Sequence, residues 1–238
     1  MKTLETNLIF GRNPVKEALR ADKVIKVFIT SKFSDKEINL LIKEKKPYIK
    51  VVSPQELDGK VKGVHQGIVA EIKPYEYLDL DEIIRRSRKV DVPIIVILDG
   101  INDTHNLGAI LRSADVFNAS GVLIPKHNQV PLNATVAKAS AGAINFVPVA
   151  QIGSINQTLQ KLKDNGFWIV STDGSAKIDY NELVYDFPVA LVIGSEGNGV
   201  SQLVVKNSDY VVKIPQYGHV NSLNASVAAG ILLARIRQ

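Results

Sequence analysis

Val189-Ala-Leu-Val-Ile193-Gly-Ser-Glu196-Gly-Asn-Gly199 is an unbroken apolar run that ends in a glycine-rich polar loop. A run that is apolar at every position suits a strand buried on both faces of a parallel sheet, and the glycines let backbone donors come close to a ligand. The same grammar recurs elsewhere in the chain. Residues 167–170 lead into Ser171-Thr-Asp-Gly174, residues 210–214 lead into Pro215-Gln-Tyr-Gly218, and residues 94–98 and 122–124 are further apolar runs. Helical patterns separate them, among them Leu107, Ile110, Leu111 and Ala114 as one apolar stripe that leaves Arg112 off it. This alternation predicts an α/β domain with a mostly parallel sheet, whose ligand crevice lies beyond the carboxyl ends of the strands.

Three segments place polar side chains among glycines and small residues, and they are expected to form one site: Asn106-Leu-Gly-Ala-Ile-Leu-Arg112-Ser-Ala114, Gly194-Ser-Glu196-Gly197 and Ser222-Leu-Asn224. Common chemistries fail on spelling. Gly194-Ser-Glu-Gly197-Asn-Gly199 is G-x-x-G-x-G, not the dinucleotide fingerprint, and no Walker motif is present. Ser195 lacks the nucleophile elbow of the hydrolases, and His65, His105, His127 and His219 share no metal-ligand spacing. With no cysteine, thiolate zinc sites, disulfides and cysteine nucleophiles are excluded, so oxygen and nitrogen chemistry without a metal is expected.

The first third reads as a small α/β unit. Asn13-Pro14 is expected to open a helix, residues 24–29, 49–52 and 67–72 read as strands, and Ser34-Asp-Lys-Glu37 and Ser53-Pro-Gln-Glu56 are spelled as capping boxes. From residue 75 to 92 the chain is charged around Ile83-Ile84, and it is either a linker with a short helix or the solvated first helix of the next domain. The domains are therefore set at 1–74, a linker at 75–92, and 93–238. A formal net charge of +5 over 238 residues favours an anionic partner. No signal peptide or apolar span is spelled out, which predicts a cytoplasmic protein without a membrane segment.

The three ordered segments, extended as Leu191-Val-Ile-Gly-Ser-Glu196-Gly-Asn-Gly199 and Ile214-Pro…Ser222-Leu-Asn224-Ala-Ser226, resemble the motifs of SpoU/TrmH-type RNA ribose 2′-O-methyltransferases of the SPOUT superfamily. Phe10-Gly-Arg-Asn-Pro14, His65-Gln-Gly67 and Val136-Ala-Lys-Ala-Ser140 resemble the bacterial large-subunit ribosomal RNA guanosine methyltransferases, the RlmB type, so the likeness spans nearly the whole chain. It implies an α/β-knot with a deep trefoil, a rarity among folds that periodicity alone does not suggest. It also implies S-adenosylmethionine as methyl donor, a homodimer through the knotted domain, and an L30e-like N-terminal RNA-binding domain. Gln216, Tyr217, His219 and Asn221 depart from spellings common in relatives, which bears on the RNA target more than on the reaction. Transfer RNA is the rival substrate, and an RNA-binding homologue without catalysis is the rival class.

On this resemblance Arg112, Asn106, Glu196, Ser222 and Asn224 are the candidate catalytic residues. A guanidinium stays protonated in proteins, so Arg112 is expected to orient a ribose hydroxyl and stabilise its developing charge while the proton leaves to phosphate or water. Asn106 either caps its helix or holds substrate. Glu196 is expected to pair with an arginine, the alternative being a solvated carboxylate at a helix start. Ser222 and Asn224 either cap the last helix or reach substrate. The cofactor pocket is assigned to Thr172, Asp173, Gly174, Ile193, Gly194, Ile214, Gln216 and Leu223. Arg12, Lys62 and His65 are expected to touch RNA, or else are ordinary surface residues.

Overall fold

A computed structural model describes residues 8–219 and 222–238; residues 1–7, Val220 and Asn221 lie outside it, and with them the readings of the N-terminus and of Asn221. The chain divides into two compact units: the residues up to Tyr75 with Leu132–Phe146, and Glu76–Pro131 with Val147–Gln238.

The first unit begins β1 (Leu8–Phe10), α1 (Arg12–Arg20), β2 (Val24–Thr30), α2 (Lys36–Lys45), β3 (Tyr48–Val52), α3 (Pro54–Lys60) and β4 (Ile68–Ile72). Its sheet runs β1-β4-β2-β3, with β4 antiparallel to both neighbours and β3 a parallel edge strand on β2. Helix starts were legible only in part. Ser53-Pro-Gln-Glu56 is a full capping box, Ser53 Oγ accepting from Glu56 N–H while Glu56 accepts from Ser53 N–H. At α2 the cap is Asp35, not Ser34, because Asp35 accepts from Ile38 N–H at 3.1 Å. α1 begins before Asn13-Pro14, with Gly11 at φ 90° as its cap and no side-chain cap bond.

The second unit opens with α4 (Leu80–Ser87), β5 (Ile94–Asp99), α5 (Thr104–Val116) and β6 (Gly121–Pro125). Next come α6 (Ala134–Ala139) and a 3-10 turn at Ala143–Asn145, both belonging to the first unit. There Lys138 Nζ lies 5.0 Å from the Phe10 ring centroid, and Gly142, at φ 96°, leaves its missing Cβ to the Glu17 side chain. The rest is β7 (Val149–Ile152), α7 (Ile155–Lys163), β8 (Trp168–Thr172), β9 (Ile178–Asp179), β10 (Val189–Gly194), α8 (Gln202–Asn207), β11 (Tyr210–Lys213) and α9 (Ala225–Ile236).

These strands form a seven-stranded sheet in the order β7-β6-β5-β10-β8-β11-β9, parallel at every pairing. The continuous apolar runs follow from this: Ile94 to Leu98 and Val189 to Ile193 are all buried, as strands covered on both faces must be. One core joins Ile95, Ile97, Leu123 and Val192 to Leu159 and Leu162 of α7 and to Ile83 and Ile84 of α4. Residues 80–87 are therefore the first helix of the second unit, the second of the two readings, with one face buried because the pair Ile83-Ile84 has an apolar surface to pack against. α5 and α9 pack on each other. Arg237 locks the end of α9 in place, its guanidinium donating to the carbonyls of Val92, Phe117 and Asn118. Among the described residues no helix is long and apolar enough to cross a membrane.

Candidate active site

β10 lies between β5 and β8, and β5 is followed in the chain by β6 on its other side, so the carboxyl ends of β5 and β10 meet where the strand order reverses. That is where open parallel sheets hold ligands. Gly194 ends β10 in contact with the chain's own backbone: a Cβ there would fall 2.0 Å from the carbonyl carbon of Gly199, so no other residue fits without a shift. Gly199 N–H donates to Ser195 O at 2.9 Å and has φ 63°, which folds residues 195–199 into a tight loop. Asp99, the last residue of β5, anchors its exit by accepting from Ser201 N–H at 2.8 Å.

Three of the expected catalytic residues converge on this loop. Asn106 Nδ2 donates to Glu196 Oε1 at 2.9 Å, Asn224 Nδ2 donates to Asn106 Oδ1 at 2.9 Å, and Asn224 Nδ2 also donates to Glu196 Oε1. The triangle settles several open readings. Asn106 does not cap α5, because Asp103 does so, accepting from the N–H groups of His105 and Asn106; these bonds, that from Asn106 foremost, hold its carboxyl below the usual carboxylate range. Glu196 pairs with two amides rather than with an arginine, since both amides lie on helix starts aimed at it. Of the two readings of Asn224, the structure shows the cap. Its Oδ1 caps α9 by accepting from Ser226 and Val227 N–H, and this leaves the amide nitrogen pointing at Glu196.

Two cavities border the loop. The first, of about 330 Å³, is lined by all eight residues assigned to the cofactor, Thr172, Asp173, Gly174, Ile193, Gly194, Ile214, Gln216 and Leu223, and by Ser222, which is not the cap of α9 because Asn224 holds that position. Ser175 holds Asp173 through both its hydroxyl and its N–H, and the pair keeps that carboxyl below its ordinary range. The second cavity, of about 490 Å³, is lined by Gly100, Ile101, Asn102, Asp103, Asn106, Ser195, Glu196 and Asn198. Ser195, Glu196 and Asn198 face both. The stretch Asp99-Gly-Ile-Asn-Asp103 was missed, although it carries the same signal as the other loops, an apolar run ending in glycine and short polar residues.

Arg112 stands apart. It is exposed on α5, six residues from Asn106 and hence about 240° around the helix. It lines neither cavity and has no polar partner among the described residues, so one chain does not bring it to Glu196 and Asn224 as expected. In the first unit, Arg12 is engaged by Asp35 at 3.6 Å and by the Phe33 ring. His65 accepts from Gly67 N–H through Nδ1 and meets Asp58 through Nε2, so its ring is tied into the local fold. Lys62 is exposed.

The chain matches the model of the SpoU rRNA methylase family over residues 93–234 and that of the RNA 2′-O ribose methyltransferase substrate-binding domain over residues 8–78. It is 43% identical over 238 residues to a protein of Staphylococcus haemolyticus described as a TrmH family tRNA/rRNA methyltransferase, spanning 98% of this chain and 96% of the relative. Among solved structures, the SpoU methyltransferase AviRb of Streptomyces viridochromogenes in complex with AdoMet superposes with a TM-score of 0.82 at 24% identity, covering 97% of this chain and 88% of that one, a likeness of fold. The TrmH/SpoU tRNA-modifying enzyme of A. aeolicus covers 67% of this chain and 83% of its own, with a TM-score of 0.56 at 30% identity. An all-parallel sheet with its polar triangle at the strand ends, together with matches over nearly the full length, leads to one conclusion: the chain belongs to the SpoU rRNA methylase family.

Proposed function

We propose that this protein is an S-adenosylmethionine-dependent RNA methyltransferase whose target is a ribose 2′-hydroxyl, that of a guanosine in large-subunit ribosomal RNA. The observation that carries this reading is the Asn106–Glu196–Asn224 triangle on the loop that two cavities share. The first cavity suits the methyl donor. Its volume is in the range of about 300–1,000 Å³ usual for small-molecule sites, its walls include Ile193, Val212, Ile214 and Leu223, and three strand ends offer backbone donors and acceptors. Bound there, S-adenosylmethionine supplies an electrophilic sulfonium methyl. The second cavity is assigned to the target nucleotide.

The residues of the chain then divide the work. The triangle holds Asn106 and Glu196 fixed before substrate arrives, so that no reorganisation is needed during transfer. Arg112 donates to the ribose oxygen and to a neighbouring phosphate, and the proton leaves to phosphate or water. Because Arg112 does not reach the cavities of its own chain, we assign it to the cleft of a second copy in a homodimer. Val116, one helical turn further on the same face of α5, is 68% exposed, as is fitting for a surface that a partner covers. The homodimer through this domain, the trefoil threading of its C-terminal segment, and the division into an L30e-like RNA-binding part at 1–74 and a catalytic part at 93–238 belong to the same proposal.

Calorimetric titration with S-adenosylmethionine, followed by tritiated methyl transfer to total RNA and mapping of 2′-O-methyls in cells with and without the protein, tests the reading. One donor bound per chain and a single guanosine lost from the large-subunit map are expected. Loss of a transfer RNA methyl instead would replace the substrate, and donor binding without transfer to any RNA would overturn the catalytic reading.

A further inference from the structure

The sheet of the first unit carries an arrangement that methyl transfer does not use. In the parallel pair β2 and β3, Lys26 stands opposite Tyr48 and Phe28 opposite Lys50. All four occupy positions of one parity and so share one face of the sheet. Lys26 Nζ lies 4.9 Å from the Phe28 ring centroid and 5.0 Å from that of Tyr48, and Lys60 of α3 lies 4.4 Å from Phe28. The Phe28 ring is buried and serves as a floor, whereas Tyr48, on the edge strand, is 65% exposed. None of Lys26, Lys50 and Lys60 has an ion-pair partner among the described residues. The acidic group of the same face is Glu71 of β4, opposite Lys26 in the register.

We infer that this face, formed by Lys26, Tyr48, Lys50 and Lys60, is a contact surface for single-stranded RNA, separate from the positions Arg12 and His65 that the chain ties up internally. Three cations without carboxylate partners await phosphates, and the open ring of Tyr48 offers a base a surface on which to stack. Their combination favours a single-stranded nucleic acid over an acidic protein surface, which needs the charge but not the ring. The cations are also placed in advance, because the aromatic rings hold two of them. The inference rests on the reading of the chain as an RNA methyltransferase and names where part of the substrate lies.

The test uses the full-length chain and a fluorescein-labelled oligouridylate, with a labelled duplex RNA beside it. Tyr48→Ala is expected to weaken single-strand binding about tenfold, with Tyr48→Phe close to wild type, since stacking needs the ring and not the hydroxyl. Duplex binding, which offers no unstacked base, is expected to stay unchanged in Tyr48→Ala. Replacing Lys26, Lys50 and Lys60 together by Gln is expected to flatten the slope of log K against log salt by about 2, at about 0.7 for each phosphate no longer neutralised. S-adenosylmethionine titration and thermal melting of each variant show that the fold and the second unit are intact. Wild-type affinity in both Tyr48→Ala and the triple variant, in a protein that methylates RNA, overturns the assignment of this face, as does an equal loss on single strand and duplex. A wild-type chain that binds neither the donor nor RNA removes the functional reading itself, and this inference with it.

Discussion

The loops at the end of the parallel sheet and the Lys26–Tyr48–Lys50 edge of the first unit's sheet treat polar groups in opposite ways. At the loops, Asn106, Glu196 and Asn224 satisfy one another, Asp103 and Asn224 satisfy helix ends, and Asp99 pins the loop exit. On the sheet face, Lys26 and Lys60 lie against rings, and neither forms an ion pair among the described residues, although Glu71 stands opposite Lys26. On the proposed reading, the difference separates two tasks. Groups that must hold a reacting centre in place are tied to one another before substrate arrives, whereas groups that must grip a polyanion are kept from carboxylates so that phosphates can take their place.

Arg112 follows neither pattern, since it belongs to the expected catalytic set yet is not held by the loops. Arg112→Ala is expected to lower kcat by about 10²–10³ with donor affinity unchanged, the magnitude typical of losing one donor to developing oxyanion charge. Arg112→Lys is expected to recover little, since a point charge lacks the planar fork; near-native turnover would contradict the fork-geometry role. Mixing Arg112→Ala with Glu196→Ala chains under conditions of subunit exchange is expected to restore activity to about a quarter of the sites, because half of the random dimers pair the two variants and each such dimer has one complete site. No recovery would place Arg112 in its own chain.

A second break targets the loop backbone. Gly194→Ala puts a methyl group into the Gly199 backbone and is expected to cost about 1–3 kcal/mol in denaturant unfolding and to abolish donor binding; a variant with unchanged stability and calorimetry would show that the loop yields. Asn224→Ala removes the cap of α9 and two amide bonds, so a loss of about 1 kcal/mol is expected, or roughly 2–4 °C in Tm. The smallest effect is electrostatic. Because Asp103 is held below its ordinary range in the folded chain, its contribution is present above the unfolded carboxylate pKa and fades as pH falls through the folded value. Asp103→Asn is expected to flatten that acid limb in melting curves taken from pH 6 to pH 3, and an unchanged limb would remove the cap from the account.

Much of the second unit was legible because its physics is written locally. A strand buried on both faces must be apolar throughout, and Gly194 and Gly199 punctuate the place where the backbone approaches itself. The eight residues assigned to one pocket on the strength of the resemblance, scattered from Thr172 to Leu223, line a single cavity. What escaped depends on contacts between distant residues. That Glu196 meets amides rather than an arginine follows from where α5 and α9 start, and no spacing reveals it. Around Ile83-Ile84 the sequence left linker and first helix open, because two apolar residues say little until β6 and β7 are there to cover them. The short strands β1, β7 and β9 escaped because each takes its identity from its neighbours. In the first unit, no spacing shows that Arg12 meets Asp35 or that His65 meets Asp58.

On the proposed reading, the Asn106–Glu196–Asn224 triangle on the shared loop is the site of methyl transfer. Asn106→Ala, measured in one preparation for donor affinity by calorimetry and for single-turnover transfer of tritiated methyl to RNA, tests it most directly. The expected result is donor binding close to wild type with transfer slowed at least about a hundredfold, as for loss of a preorganised polar contact at a reacting centre. Transfer at the wild-type rate would contradict the account.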